Sequence, residues 1–461
     1  MHNQRQFIRQ TAAVLMACGL IATLLPTNVS GAEKIRIILD TDALAEVDDQ
    51  HALAYALFSG DHFEVEGITV NRGSDYPERT ERRPYFGRVD IDDHFTEAVN
   101  VARMCASPHV PFLKGPAGNY RQLKGNVNNS TFDGSDAVNF IIERAHAPSD
   151  RPLHIYAMGN LTNVALALLK DPTIAPKIEI WWLGTEWPRG YACNNHAGDL
   201  DAVDALLANP QNVPFNIIPW PTSAGVTYTE IKEKMTGRGP QVSPAVPGLR
   251  GEGPDFTCFG DYSVYLFDRF VGARQKEHGR ALLDVVGFAA VKNNVGKFAP
   301  YEMGAPSFVV EEESETGSQA HRYPGTWVEH DDNPRRVTMW RHPNRDAVYN
   351  DFFNTIDNYV VSVAERGSER VIDPFHKAQR NDRDDAECRR RAFLLRGAIS
   401  GWLCIDLSHG TCLSSLFRRP AVAVGGDGHL FLTGEAGPAL KIQVKADVVR
   451  SVKRGSLWVD Y

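Results

Sequence analysis

Unbroken apolar stretches alternate with amphipathic ones along the first half of the chain. "KIRIILD" has no in–out alternation, so it reads as a strand buried on both faces. "DDQHALAYALFSG" follows, with Ala52, Leu53, Ala56 and Leu57 at helical spacing and Gly60 closing it. "FEVEGITV" is the next strand, which completes a strand–helix–strand unit of the parallel-sheet type. "DDHFTEAVNVARMC" predicts a helix capped by Asp92 or Asp93, and Asp48 or Asp49 is a cap candidate for the earlier one. "PLHIYAMG", "IEIWWLG" and "PFNIIPW" predict further strands, with helices "NLTNVALALLKD" and "DLDAVDALLAN" between them. The alternation holds to about residue 220 and predicts an α/β fold, an open, mostly parallel sheet flanked by helices.

From Pro221 to Leu282 the pattern loosens, and "GRGPQVSPAVPGLRGEGP" reads as a long surface loop. "DYSVYLFDRFVGAR" and "LLDVVGFAAVKN" resume helical spacing, and "RVTMW" and "DAVYNDFFNTIDNYVVSVAER" predict a late strand and helix. The mixed-charge run "QRNDRDDAECRRRAFLLR" breaks the composition and reads as a solvated linker, followed by Gly- and Val-rich text that suggests a few strands. At the other end, Arg5 and Arg9 precede the apolar "TAAVLMACGLIATLLP" and the small residues "SGA", the pattern of a cleaved export signal. A lipoprotein reading at Cys18 is weaker, because the apolar run continues past it. The expected organisation is a signal peptide over residues 1–32, an α/β domain over 33–375, and a linker with a C-terminal extension of unassigned role over 376–461. The mature chain is expected to be exported, periplasmic or extracellular, and without a membrane span.

Composition narrows the partners. A net charge of −8, with no long basic stretch, argues against nucleic acid, and 43% hydrophobic residues suffice for a large core. The seven cysteines show no C-x-x-C spacing, so a zinc site is not expected and no disulfide pairing can be deduced.

The chemistry gathers in "DTDALAEVDDQ", which puts Asp40, Asp42, Glu46, Asp48 and Asp49 at the carboxyl end of the first strand. Open parallel sheets bind ligands at that edge. Carboxylates this close resist ionising beside one another, and a cation would relieve them. Oxygen-only ligands point to a hard cation, Ca²⁺ or Mg²⁺. An EF-hand is excluded, because counting from Asp40 the sixth residue is Ala45 rather than Gly and the twelfth is His51 rather than Glu.

"RIILDTD" followed by "DDQHALAYAL" resembles the signature of the nucleoside hydrolases, the inosine–uridine-preferring N-ribohydrolase family. "FEVEGITVN", "VPFLKGPAGN", "YAMGNLTNVALAL", "NNHAGDLDAV" and "LLDVVGFAAV" resemble further family segments in the family's order, over roughly residues 34–365. The resemblance implies a Ca²⁺-dependent hydrolase that cleaves the N-glycosidic bond of a ribonucleoside or related riboside. It implies Asp42, Asp49, Asp284 and the Met158 carbonyl as metal ligands, with Asp42 also the general base toward a metal-activated water. Asp48, Asn71 and Asn195 would bind ribose hydroxyls, and Asp40 would support the loop. Carboxylates beside an oxocarbenium-like transition state fit that chemistry. The expected partner is a small nucleoside or glycoside, and a homo-oligomer is left open.

The departures from the family are equally specific. Five residues, "ALAEV", separate Asp42 from Asp48 where the family has three, and the family's glycine is absent. The loop is therefore expected to bulge, with Glu46 a candidate near the metal. Cys193 stands where many relatives carry a ribose-binding glutamate, and Leu283 where well-studied members carry a histidine that assists leaving-group protonation. His196 and His278 are candidates to replace it. Of Trp181, Trp182, Trp187, Trp220 and Trp340, Trp187 is the candidate to stack on a base or sugar, and at least one of Trp181 and Trp182 is expected in the core. Two other readings stay open. "ILDTDAL" also resembles the first motif of haloacid-dehalogenase-type Mg²⁺ phosphatases, and the missing glutamate and histidine fit a non-catalytic Ca²⁺-dependent sugar- or nucleoside-binding protein.

Overall fold

The computed structural model describes residues 33–73, 89–129, 132, 134–188, 191–193, 195–220, 224–310 and 322–362, and the backbone of short strands between 392 and 459. The expected signal segment lies outside the described residues. Two compact units divide the chain, residues 1–374 and 375–461. The second contains two antiparallel hairpins, Ala392–Arg396 with Trp402–Asp406 and Val449–Lys453 with Ser456–Val459, and a three-stranded meander between them. Among the described residues, no helix is long and apolar enough to cross a membrane.

The first unit is built on an eight-stranded sheet. Its strands are β1 (Ile35–Thr41), β2 (Phe63–Val70), β3 (Phe112–Lys114), β4 (Leu153–Ala157), β5 (Ile178–Leu183), β6 (Phe215–Ile218), β7 (Ala299–Gly304) and β8 (Arg336–Arg341). The order across the sheet is β7-β8-β6-β5-β4-β1-β2-β3. All neighbours are parallel except the edge pair β7 and β8, which is antiparallel. From β1 the chain steps out through β2 to β3, then crosses back to lay β4 on the other side of β1. The strand order therefore reverses between β1 and β4, where open α/β sheets hold their ligands.

Helices cover both faces. After β1 comes α1 (Asp48–Leu57), every residue of which is buried. Then come α2 (Ile91–Met104), α3 (Ser135–His146), α4 (Thr162–Lys170), α5 (Leu200–Leu207), α6 (Tyr228–Met235), α7 (Phe259–Phe270), α8 (Leu283–Val291) and α9 (Arg345–Asp357). Helix α8 is also wholly buried. Its Phe288 meets Tyr55 of α1 at 5.1 Å and Phe63 of β2 at 4.9 Å between ring centroids. Aromatic packing thus fixes two helix starts, Asp48 and Asp284, against each other.

Two expected caps fall elsewhere. Asp90 caps α2, accepting from the backbone N–H of Asp92 and Asp93, while Asp93 returns a bond to the Asp90 N–H. No side chain caps α1, whose N-cap is Val47; Asp48 and Asp49 lie in its first turn and turn their carboxylates to the sheet's edge. The Gly- and Pro-rich loop expected at the surface is tied down at several points: the Arg250 N–H donates to the buried Glu97 at 2.7 Å, and the Leu249 N–H to the Tyr262 hydroxyl at 3.1 Å. Cys105 and Cys258 are buried free thiols. At the opposite edge of the sheet, buried Glu66 joins Arg36 of β1 and Arg144 of α3, at 2.5 Å each.

Candidate active site

The carboxyl end of β1 puts successive side chains to different uses. Asp40 points under the site and accepts from Asn163 at 2.8 Å and Thr69 at 3.0 Å. Burial pushes its carboxyl up to about 7, against the pull of those bonds. Thr41 donates to Asp49 Oδ1 at 2.6 Å and so orients the second aspartate of α1. Asp42, almost fully buried, lies over the turn after β4. A Cβ on Gly159 in that turn would stand 2.7 Å from Asp42 Oδ1 and 2.6 Å from Asn71 Nδ2, so only glycine fits there.

One narrow cleft collects most of the expected residues. Asp42, Glu46, Asp48, Asp49, Met158, Asn195 and Asp284 line it, together with Ala45, Leu183, Trp220 and Leu283. Asp40 lies beneath, and Asn71 adjoins Asp42 at Gly159. Oxygen atoms of Asp48, Asp49 and Asp284 lie within 4.8 Å of one another. Asp48 thus belongs to the tightest acidic group, although the resemblance implied a ribose contact for it.

The electrostatics of this group are unfavourable without a cation. Burial lifts Asp284 well above the usual carboxylate range, and the charges of Asp48, Asp49 and Asp42 lift it further, while Arg280 opposes them. Burial and the Asp42 charge lift Asp49 well above its ordinary value. Burial and the Asp49 charge push Asp48 up to about 7. Asp284 Oδ1 is buried and has no hydrogen-bond partner among the described residues. A buried carboxylate oxygen without a donor is costly, and a divalent cation among the three carboxylates removes both that cost and their repulsion. The residues therefore fit a hard metal ion. Asn195 donates to the Met158 carbonyl and, at 2.8 Å, to the Leu183 carbonyl, which ties the ends of β4 and β5 together.

Three expected participants stand apart. Trp187 lies in the wall of a different cleft, donates to the Tyr301 hydroxyl at 3.0 Å and packs on Trp327. His196 is fully buried among Trp182, Phe308 and Trp327, and neither ring nitrogen has a hydrogen-bond partner among the described residues. Burial pushes its pKa down to about 3, so it is neutral and enclosed. His278 is exposed at the end of the short helix Ala273–His278, beside Glu277. The core expectation for the paired tryptophans holds at Trp182, which is fully buried and donates to the Gly159 carbonyl at 3.0 Å. Glu46 does line the cleft, but its carboxylate is held by Arg280. Sequence reasoning missed Arg280, because the contact spans 234 residues and no pattern marks it. It also missed His94, which accepts the Leu44 N–H at 3.1 Å and steadies the enlarged loop.

This is the architecture of an α/β enzyme with an acidic crevice where its strand order reverses. The pattern that defines the inosine-uridine preferring nucleoside hydrolases matches residues 37–350. No curated protein matches the chain in sequence. Among solved structures, the chain is similar to a purine-preferring ribonucleoside hydrolase from Gardnerella vaginalis, at 21% identity, covering 70% of this chain and 98% of that one, with a TM-score of 0.50. It is also similar to an inosine-guanosine nucleoside hydrolase, at 18% identity over 71% and 100% of the two chains, TM-score 0.50. At these identities the structural likeness is one of fold. The match over residues 37–350 shows more: the chain belongs to the inosine-uridine preferring nucleoside hydrolase family. It is thus an N-glycosyl hydrolase, which sets aside the phosphatase reading of "ILDTDAL".

Proposed function

We propose that the chain hydrolyses the N-glycosidic bond of a ribonucleoside or related riboside in a Ca²⁺-dependent reaction. The observation that carries this reading is the buried cluster of Asp42, Asp48, Asp49 and Asp284 at the sheet's reversal point, with Asp284 Oδ1 unpartnered among the described residues. Asp42, Asp49, Asp284 and the Met158 carbonyl are the proposed metal ligands, and Asp48 is close enough to join them. When bound, a hard divalent cation supplies charge that acidifies and orients a water. The chain's residues do the rest. Asp42 takes the proton of the attacking water. Asp48, Asn71 and Asn195 hold ribose hydroxyls, and Asp40 keeps the loop in place through Asn163 and Thr69. The carboxylates stabilise the positive charge that grows on the sugar as the base leaves.

The test is sugar release from a panel of nucleosides and simpler ribosides in calcium, followed by chromatography. Release that requires calcium supports the reading. One observation favours a second reading: Leu283 faces the cleft and His196 is caged, so among the described residues no histidine lines the cleft. A non-catalytic sugar- or nucleoside-binding protein would show calorimetric binding and no release. Export rests on the N-terminal pattern, and sequencing of protein from its native envelope or medium should find a start near Glu33. An intact Met1 would contradict it. Residues 33–375 are the proposed catalytic domain.

A further inference from the structure

Loss of the nucleobase leaves an electron pair on a ring nitrogen, and something in the site must carry that charge. Five of the lining side chains are carboxylates, and among the described residues none that lines the cleft is cationic. Arg280 is bonded to one of those lining carboxylates. Arg280 stands in a two-residue strand, Arg280–Ala281, paired antiparallel with Gly225–Val226, and its Nη2 donates to Glu46 of the enlarged loop. Glu46 lines the cleft, and Arg280 is bonded to it from behind that lining. The two side chains are 20% and 23% exposed. Arg280 Nε is buried and has no hydrogen-bond partner among the described residues, which leaves donor capacity unspent. Three residues later, Leu283 occupies the cleft wall and gives its backbone N–H to Asp48 at 2.9 Å.

We propose that Arg280, held in place by Glu46, supplies the positive charge that stabilises the departing base in this chain. The inference rests on the hydrolase reading above. In the step, the bond between the anomeric carbon and the base nitrogen breaks, and its electron pair leaves with the base. The water oxygen bonds the anomeric carbon and gives one proton to Asp42. Arg280 does not act as the acid, because a guanidinium keeps its proton throughout the working pH range. It lowers the energy of the base anion by charge and hydrogen bonding, and the base takes its proton from solvent after it has left. Glu46 is the positioning residue: its bridge holds a long, flexible side chain at the leaving-group side. The two additional residues between Asp42 and Asp48 then have a use, since they let the loop reach Arg280.

Dependence on the leaving group tests this. Rates for uridine and inosine would be compared with those for 4-nitrophenyl riboside, whose leaving group departs as a stable anion without help. The nucleoside-to-nitrophenyl rate ratio is expected to fall roughly 10²-fold in Arg280→Gln, the scale of losing one preorganised charge-stabilising donor. Arg280→Lys should keep most of the ratio, because it keeps the charge. Glu46→Gln should lower it by less, and it serves as the readout if Arg280→Gln does not fold, with thermal unfolding as the control. Equal losses on both substrate classes in Arg280→Gln and Glu46→Gln would overturn the proposal and leave the pair a loop staple. A wild-type enzyme that releases sugar from neither class would overturn the hydrolase reading itself, and this inference with it.

Discussion

At Asp284 the chain buries a carboxylate beside three others, and among the described residues one of its oxygens has no donor. Such a residue opposes folding until a cation arrives. Asp284→Asn should therefore raise the melting temperature of metal-free protein while shrinking the increase that calcium produces, both read by scanning calorimetry. Removing a like charge from a buried cluster relieves repulsion, and the same change removes a ligand. Asp42→Asn separates catalysis from binding. Asparagine keeps an oxygen for the metal and cannot accept the proton, so turnover should fall roughly 10²- to 10⁴-fold while calorimetry still detects ligand. Wild-type turnover in that variant would assign the base elsewhere, with Glu46 the next residue to change.

At the scale of elements, the site depends on how α1 and α8 are fixed. Both helices are buried along their whole length, and they touch through Tyr55 and Phe288. Phe288→Ala should cost about 3–5 kcal/mol by denaturant unfolding. It should also weaken calcium binding, because α8 carries Asp284 in its first turn. A stability loss without any change in calcium affinity would show that the helix starts are held independently of the aromatic contact. The elements also show what the sequence made legible. Strands β1, β4 and β5 are buried on both faces, so their apolar runs stand out, and the aspartates at the end of β1 could be read as a site. Strand β3 has only three residues, and β7 is exposed along its first four positions, so neither leaves an apolar run. The Glu46–Arg280 contact and the enclosure of His196 by Trp327 and Phe308 depend on segments far apart in the chain, and local pattern holds no record of them. Trp187 shows the converse. Its loop position suggested ligand stacking, and the fold pairs it with Trp327 and Tyr301 instead.

Across the whole molecule, the two edges of the sheet have opposite electrostatic character. The amino edge buries Glu66 between two arginines, and the carboxyl edge gathers aspartates. Removing the bridging carboxylate in Glu66→Ala should cost about 3–5 kcal/mol, the scale for breaking a buried pair and stranding its partner. The acidic edge sets the pH dependence. Asp40 and Asp48, raised to about 7, keep protons that an unfolded aspartate loses near pH 4. Between those values the folded chain binds more protons than the unfolded one, so metal-free stability should fall as pH rises through that interval and then level off. Calcium binds the ionised carboxylates, so its stabilising effect should grow over the same interval. Melting temperatures in chelator and in calcium, at about pH 5 and pH 8, check both signs. A metal-free protein that is more stable at the higher pH would contradict this account of the cluster.

Calcium dependence of the reaction tests the central claim most directly. Protein stripped with chelator would be titrated with calcium while ribose release from its best nucleoside is followed. The account predicts no release before calcium and recovery that saturates near one equivalent of tightly bound ion. Ribose release that is as fast in excess chelator as in calcium would contradict it.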